Sequence, residues 1–338
     1  MIPLKSILVT TDFSDHANNA VRRAALLAAQ HTARMTLLHV VDPSALKGPR
    51  AWFSSMTGLD HKVAVAQATL GRLAAEVAGR HDLIATQAVL VGRPLEQVCR
   101  LAEEADLLVI GSKRPDPLRS LLLGTPTEQL LRLVRRPMLV VKQSALDRYE
   151  RVLVAVDIDR DSESMLHGMG GLANGASLHV FHALSTRRTE RMRASDVPAD
   201  VIREVWDGER QRGIVRLRST LASIGLTGAQ ASVEHGDPRL LILERQRAIA
   251  ADLIVLGQDG QSALCSFLLG GVPRHVLPRA PCDVLVMPKV GRRDRVRMLA
   301  GRPWLESAPL KVVEAIAPTE ETADATAGRQ RDARARIV

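Results

Sequence analysis

Aromatic side chains are the scarcest class in this sequence: three Trp, one Tyr and four Phe make up 2% of 338 residues. A core so poor in rings has to be built from Leu, Val, Ile and Ala. A surface that stacks nucleic-acid bases is disfavoured for want of platforms. Three cysteines occur, Cys99, Cys265 and Cys282, with no C-x-x-C spacing, which speaks against a disulfide framework and a zinc knuckle. No run approaches the ~20 apolar residues that span a bilayer. The opening MIPLKSILVTTD passes straight into a strand pattern, without the apolar stretch and cleavage site of a signal peptide. A reducing cytoplasm and no membrane partner are therefore expected. The motifs G-x-x-x-x-G-K-[ST], G-x-S-x-G and H-E-x-x-H are absent too, so neither a Walker-type NTPase, a nucleophile-elbow hydrolase nor a zincin is indicated.

What remains is an ordinary globular composition, 46% hydrophobic and 25% charged, with a formal charge of +9 and a pI near 10.1. Such a charge raises an anionic partner as a question. The arginines are spread over the whole chain, and a solvated basic surface is the simpler reading. Nine of them cluster between Arg187 and Arg218. That cluster reads as a solvated helix face, with an acidic partner as the alternative.

Length alone allows roughly two domains, and the chain repeats itself. SILVTTDFS at Ser6 matches RVLVAVDID at Arg151, each strand ending at an aspartate, Asp12 or Asp157. ADLLVIG ending at Gly111 matches ADLIVLG ending at Gly257. LLLGT at Leu121 matches FLLGG at Phe267, and PMLVVK at Pro137 matches DVLVMPK at Asp283. The last three pairs share one offset, 146 residues, so the match is a register. The expected organisation is a first domain over 1–145, a second over 149–289, and a basic, polar tail over 290–338, mostly disordered, with one amphipathic piece, PWLESAPLKVVEAI.

Within each half, buried strand runs alternate with amphipathic helix patterns, the signature of a parallel sheet wrapped by helices. In the first half the pattern predicts strands over 6–11, 35–41, 84–90, 107–110 and 138–141, and helices over 15–31, 61–80, 94–103 and 126–134. The second half repeats the order, with strands near Val152, Leu178, Ala231, Leu253 and Val284. The fold class is α/β: two repeated, doubly wound, five-stranded parallel sheets of Rossmann-like or flavodoxin-like kind, with strand order 3-2-1-4-5. That order puts a topological switch point between the first and fourth strands, outside whose carboxyl ends ligands bind.

Those ends carry Asp12 with Gly111, and Asp157 with Gly257. The loop after each fourth strand leads into a helix, an arrangement that presents free backbone N–H groups to phosphate. The spacing is GSKR, nine residues, then GT in the first half: Gly111, Arg114, Gly124, Thr125. In the second it is GQDG, nine residues, then GG: Gly257, Gly260, Gly270, Gly271. Any one of these glycines is equally read as a tight turn.

These residues resemble the universal stress protein family in its tandem two-domain form. The resemblance runs from about Ile2 to Lys289. It rests on the strand-1 aspartates, His39-Val40 after strand 2, the Gly-x-Pro at Gly92 to Pro94 and Gly236 to Pro238, and the glycine loops. It implies a stress-response binding or regulatory protein. In ATP-binding members the strand-1 acid and a strand-2 valine border the adenosine, and the glycine loop holds ribose and phosphates. Carried over, this implicates Asp12, Val40, Gly111, Gly124 and Thr125, then Asp157, Gly257, Gly260 and Gly270, with ATP or AMP as ligand. The resemblance also implies that the two halves pair through their last strands as a pseudo-dimer, which would cover two aggregation-prone edges. A homodimer of whole chains is left open.

Neither loop keeps the full pattern. Arg114 takes the second glycine's place, and Pro115 and Pro117 lack N–H donors. Arg114 has two readings, a guanidinium that serves phosphate instead or a plug across the cleft. In the second loop Gly271 replaces the hydroxyl residue and Asp259 brings a negative charge. Asp12 has no second catalytic group placed to work with it, and His179 and His182, three apart on a strand, point to opposite faces. No metal motif is present. A binding role therefore ranks above an enzyme, with a weak ATPase and a pure interaction module as alternatives.

Overall fold

Runs such as LLVIG and LIVLG, apolar on both faces, have the composition of strands covered by helices on both sides. The Ala-rich helix DHANNAVRRAALLAAQH supplies a cover whose small side chains let it lie close. In the computed structural model, which describes residues 4–46, 55–81, 83–112, 126–158, 162–169, 175–258 and 271–288, both expectations are met. The first half runs β1 (Ser6–Thr10), α1 (Asp15–His31), β2 (Arg34–Val41), α2 (Ser55–His81), β3 (Ala85–Val91), α3 (Pro94–Ala102), β4 (Leu107–Gly111), α4 (Pro126–Leu133) and β5 (Met138–Val141). The second runs β6 (Arg151–Ala155), α5 (Ser162–Met169), β7 (Ser177–Leu184), α6 (Arg187–Ala194), α7 (Ala199–Ser223), β8 (Gln230–His235), α8 (Pro238–Ile249), β9 (Leu253–Gly257), α9 (Gly271–Arg279) and β10 (Asp283–Met287).

Two helix assignments differ from the sequence pattern. α2 starts at Ser55, six residues before the first expected position, and α6 is an additional helix. α6 reads RRTERMRA, with Met192 its one large apolar residue, so no hydrophobic period announces it.

The strands form one ten-stranded sheet in the order β3-β2-β1-β4-β5-β10-β9-β6-β7-β8. Each half is parallel throughout and has the 3-2-1-4-5 order. The halves meet where β5 and β10 pair antiparallel, with Val140 opposite Val284 and Leu139 opposite Leu285. This is the pseudo-dimer, and it leaves β3 and β8 as the outer edges. One aliphatic core lies on each face of the sheet, and both continue across the β5–β10 junction through Leu139 and Leu285 on one face and Val140 and Val284 on the other. The sequence from 289 to 338, with the expected tail, lies outside the described residues.

The junction also holds a buried charge cluster. Asp283, at the position where the first half has Pro137, is fully buried. Its Oδ1 accepts the N–H groups of Lys142 at 2.8 Å and Gln143 at 2.9 Å, and its Oδ2 accepts the Tyr149 hydroxyl at 2.7 Å. Arg23 Nε, from α1, lies 3.4 Å from Oδ2, and the Arg23 guanidinium sits 4.2 Å above the Tyr149 ring while donating to the Asp147 carbonyl. Lys142 Nζ donates to the carbonyls of Leu277 and Ala280 in the last turn of α9 and beyond it. One carboxylate thus ties α1 and the linker of the first half to β10 of the second.

Burial lowers Lys142 to a pKa of about 8 and raises the adjacent Cys282 to about 12, against ordinary values of about 10.4 and 8.5. The two work in opposite directions. Lys142 contributes stability that is complete above its unfolded value and lost as pH falls through about 8. Cys282 contributes stability that is complete below its unfolded value and lost as pH rises toward 12. Between pH 8.5 and 10 their slopes offset. Cys282→Ala, with only the Lys142 slope left, is therefore expected to gain about 1–2 kcal/mol relative to wild type across that interval. Urea unfolding at the two pH values checks this, and parallel profiles for the two proteins would refute it.

Candidate functional site

At each switch point the crossovers leave the first and fourth strands in opposite directions, so the carboxyl ends of β1 and β4, and of β6 and β9, border a crevice. Asp12 is exposed two residues beyond β1. Its Oδ1 accepts the Ser14 N–H at 3.0 Å and the Ser14 hydroxyl at 2.5 Å. Partial burial pushes its pKa up, but the Ser14 donors and nearby His39 outweigh this and hold the carboxyl below its usual value. Ser14 in turn caps α1, accepting from the Ala17 N–H.

The turn that carries Asp12 is braced on all sides. Thr11 Oγ1 accepts the Phe13 N–H at 2.9 Å and donates to Asn18 Oδ1 at 3.1 Å, while Asn18 Nδ2 donates to the Phe13 carbonyl. His39, at the end of β2, bonds the Thr11 carbonyl through Nδ1 at 2.8 Å and stacks on the Phe13 ring at 4.3 Å. Because a carbonyl only accepts, Nδ1 carries the proton. Val40 follows, half-buried and packed on the core beneath the crevice. Thus Asp12, Val40 and Gly111 come together at the carboxyl ends of three neighbouring strands, β2, β1 and β4.

The second half brings Asp157 and Gly257 together in the same way. Asp157 is exposed beyond β6, and His182 bonds the Val156 carbonyl through Nδ1 at 3.0 Å, matching His39. The brace is different in kind: Val156 and Ile158, both buried, stand where Thr11 and Phe13 stand in the first half. The structural role of the two histidines was missed in the sequence. Their recurrence near the ends of β2 and β7 was the available signal.

Gly111 and Gly257 differ in what their glycine identity serves. A Cβ on Gly111 would lie 2.4 Å from the His16 carbonyl oxygen and 2.8 Å from Ala17 Cα, so the first turn of α1 rests directly on it. Among the described residues, a Cβ on Gly257 would meet only the Met165 sulfur, at 3.2 Å. Beyond Gly257, Gln258 Nε2 donates at 2.5 Å to the Leu131 carbonyl in α4, tying the base of the second loop to the first half. Arg114, Gly124, Thr125, Gly260 and Gly270 lie outside the described residues, as do Pro115, Pro117 and Asp259. The Gly-x-Pro motifs shape the turns after β3 and β8: Gly92 and Gly236 adopt φ 148° and 154° and donate to the Val41 and Leu184 carbonyls. Among the described residues there is no group of three His, Cys, Asp or Glu side chains fit to hold a metal ion, and no helix long and apolar enough to cross a membrane.

A duplicated, doubly wound α/β unit with an acid after its first strand and a glycine at the end of its fourth defines a tandem protein of the doubly wound α/β class, with one switch point in each half. The chain belongs to the universal stress protein family: that family's sequence model matches residues 3–142 and again 148–288. A universal stress protein of Mycolicibacterium smegmatis is 26% identical over 300 residues, which cover 83% of this chain and 96% of that one. The fold matches the crystal structure of a universal stress protein from Archaeoglobus fulgidus with a TM-score of 0.63 at 19% identity, covering 84% of this chain and 98% of the other. It likewise matches a functionally unknown protein of Pseudomonas aeruginosa with a TM-score of 0.58 at 22% identity, covering 88% and 95%.

Proposed function

We propose that this chain is a cytoplasmic regulatory protein of the stress response that binds an adenine nucleotide, ATP or AMP, at the switch point of its first half and does not turn it over. The observation that carries this reading is Asp12. Its Oδ1 is locked by Ser14, its position is fixed by the Thr11–Asn18–His39 brace, and it faces solvent at the sheet edge beside half-buried Val40. A carboxylate held ionised and immobile is a ready acceptor for donors of an adenosine, and the Val40 side chain offers an apolar wall. The first half is favoured over the second because its turn carries the side-chain bonds of Thr11 and Asn18, where the second has the apolar side chains of Val156 and Ile158. Occupancy would act by shifting a conformational or assembly equilibrium.

A second reading, an interaction module whose sites have lapsed, has one observation in its favour: the packing of α1 on Gly111 accounts for that glycine without a ligand. Denaturing freshly purified protein and analysing what is released separates the readings. Released ATP or AMP supports nucleotide binding, turnover of added ATP supports an enzyme, and no released nucleotide with no binding at millimolar concentration supports the module. Asp12→Ala is expected to weaken nucleotide binding about tenfold to a hundredfold, the loss of a charge-assisted hydrogen bond. Unchanged affinity in that variant, measured by calorimetry, would remove Asp12 from the site.

A further inference from the structure

The arginine-rich segment of the second half, unused by the switch points, borders an open cleft. Helix α6 ends in a turn, and α7 then runs back beneath it, leaving an open cleft of about 340 Å³ lined by Arg193, Asp196, Val197, Ile202, Arg203 and Trp206, with Ala199 at its rim. The α7 members, 199, 202, 203 and 206, share one helix face. Trp206 is held edge and face: it stacks on His235 at 4.8 Å and 8°, its own carbonyl bonds His235 Nε2, and the Arg193 guanidinium lies 5.6 Å from its ring centroid. The Trp206 Nε1 donor is buried and has no acceptor among the described residues. Among the described residues, neither Arg193 nor Arg203 forms an ion pair with a carboxylate. His235 ends β8, the outer edge strand, with β7 between it and β6, so the cleft is separate from the switch point.

The chemistry of the walls narrows the occupant. Apolar surface from Val197, Ile202 and Trp206 suits a flat or compact apolar body. Two guanidiniums against one carboxylate, Asp196, leave a single positive charge to be answered. A phosphate monoester, close to a dianion at neutral pH, would overshoot that charge and crowd Asp196. We propose that the cleft binds a small monocarboxylate with a planar apolar body, the carboxylate forked by Arg193 and Arg203 and the body laid against Val197 and Ile202 at the edge of the Trp206 ring.

Benzoate and its neutral isostere benzamide are the probes, titrated against the full chain by the fluorescence of Trp206 with Trp52→Phe and Trp304→Phe in the background. Benzoate is expected to saturate the signal, and benzamide to bind at least about tenfold more weakly, the loss of a charge-assisted contact. Arg203→Gln should weaken benzoate by a similar factor. Arg210→Gln, which breaks only an exposed pair with Asp207 on the same helix, should leave it unchanged. Equal binding of the two probes, no saturation at millimolar benzoate, or equal losses in the two arginine variants would each overturn the proposal. So would a capped aspartyl dipeptide that binds as tightly as benzoate, since it would point to a protein partner. None of these outcomes depends on nucleotide binding at the switch points.

Discussion

Asp283→Ala is expected to lower the stability of the folded chain by about 3–5 kcal/mol, the usual cost of removing one partner from a buried ion pair. The carboxylate answers three donors and faces one guanidinium. Its loss leaves the Arg23 charge buried beside Tyr149 and two linker N–H groups without an acceptor. Against a total of about 5–15 kcal/mol for a domain, that is a large fraction. Denaturant titration gives the number. Asp283→Asn, which keeps the shape and the acceptor for the two N–H groups, should cost less than the alanine. A loss below about 1 kcal/mol in the alanine variant would mean that solvent already reaches the cluster. The cluster spans β10, the linker and α1, so the same variants report on how firmly the halves are held. Midpoints that separate for probes in the two halves would show that Asp283 couples them.

Much of this architecture was legible because the sequence states it twice. The 146-residue register fixed the strand pairs ending at Gly111 and Gly257, and the unbroken apolar runs marked strands buried on both faces, which is why every strand lies where the pattern puts it. α1 was legible to its ends because Ser14 caps it and Thr32 closes it. α6 was not, because an arginine-rich helix on the surface has no apolar period to read. The site divides in the same way. The two aspartates were found by their position after a strand, a local feature. The brace around Asp12 joins residues on three elements, and the Asp283 cluster joins residues up to 260 apart, Arg23 with Asp283. Such partners are set by sheet order, not by spacing. Read alone, Asp283 was merely where Pro137 is not.

Gly111→Ala is expected to cost about 3 kcal/mol, and Gly257→Ala to be neutral or slightly stabilising, although the two glycines occupy the same place in the repeat. Neither has a positive φ among the described backbone outliers, so an alanine is compatible with both backbones and space alone decides. At Gly111 the added methyl would meet the backbone of His16 and Ala17 at 2.4–2.8 Å. To relieve that, α1 has to move off the sheet, an overpacking strain of about 1–3 kcal/mol, toward the upper end because backbone yields less than a side chain. At Gly257 the only neighbour among the described residues is the end of a methionine, which turns aside easily, and the lost freedom of the unfolded chain adds about 0.4–1 kcal/mol of stability. Thermal unfolding of the two variants tests the contrast, and equal shifts would contradict it. The difference also sets what each glycine can say about ligands. In Gly111→Ala a loss of nucleotide affinity would be inseparable from the displacement of α1 and of Asp12 ahead of it. In Gly257→Ala the fold stays as it is, so a change in affinity would show a ligand approaching the β9 backbone, and an unchanged affinity would leave the first half as the half that binds.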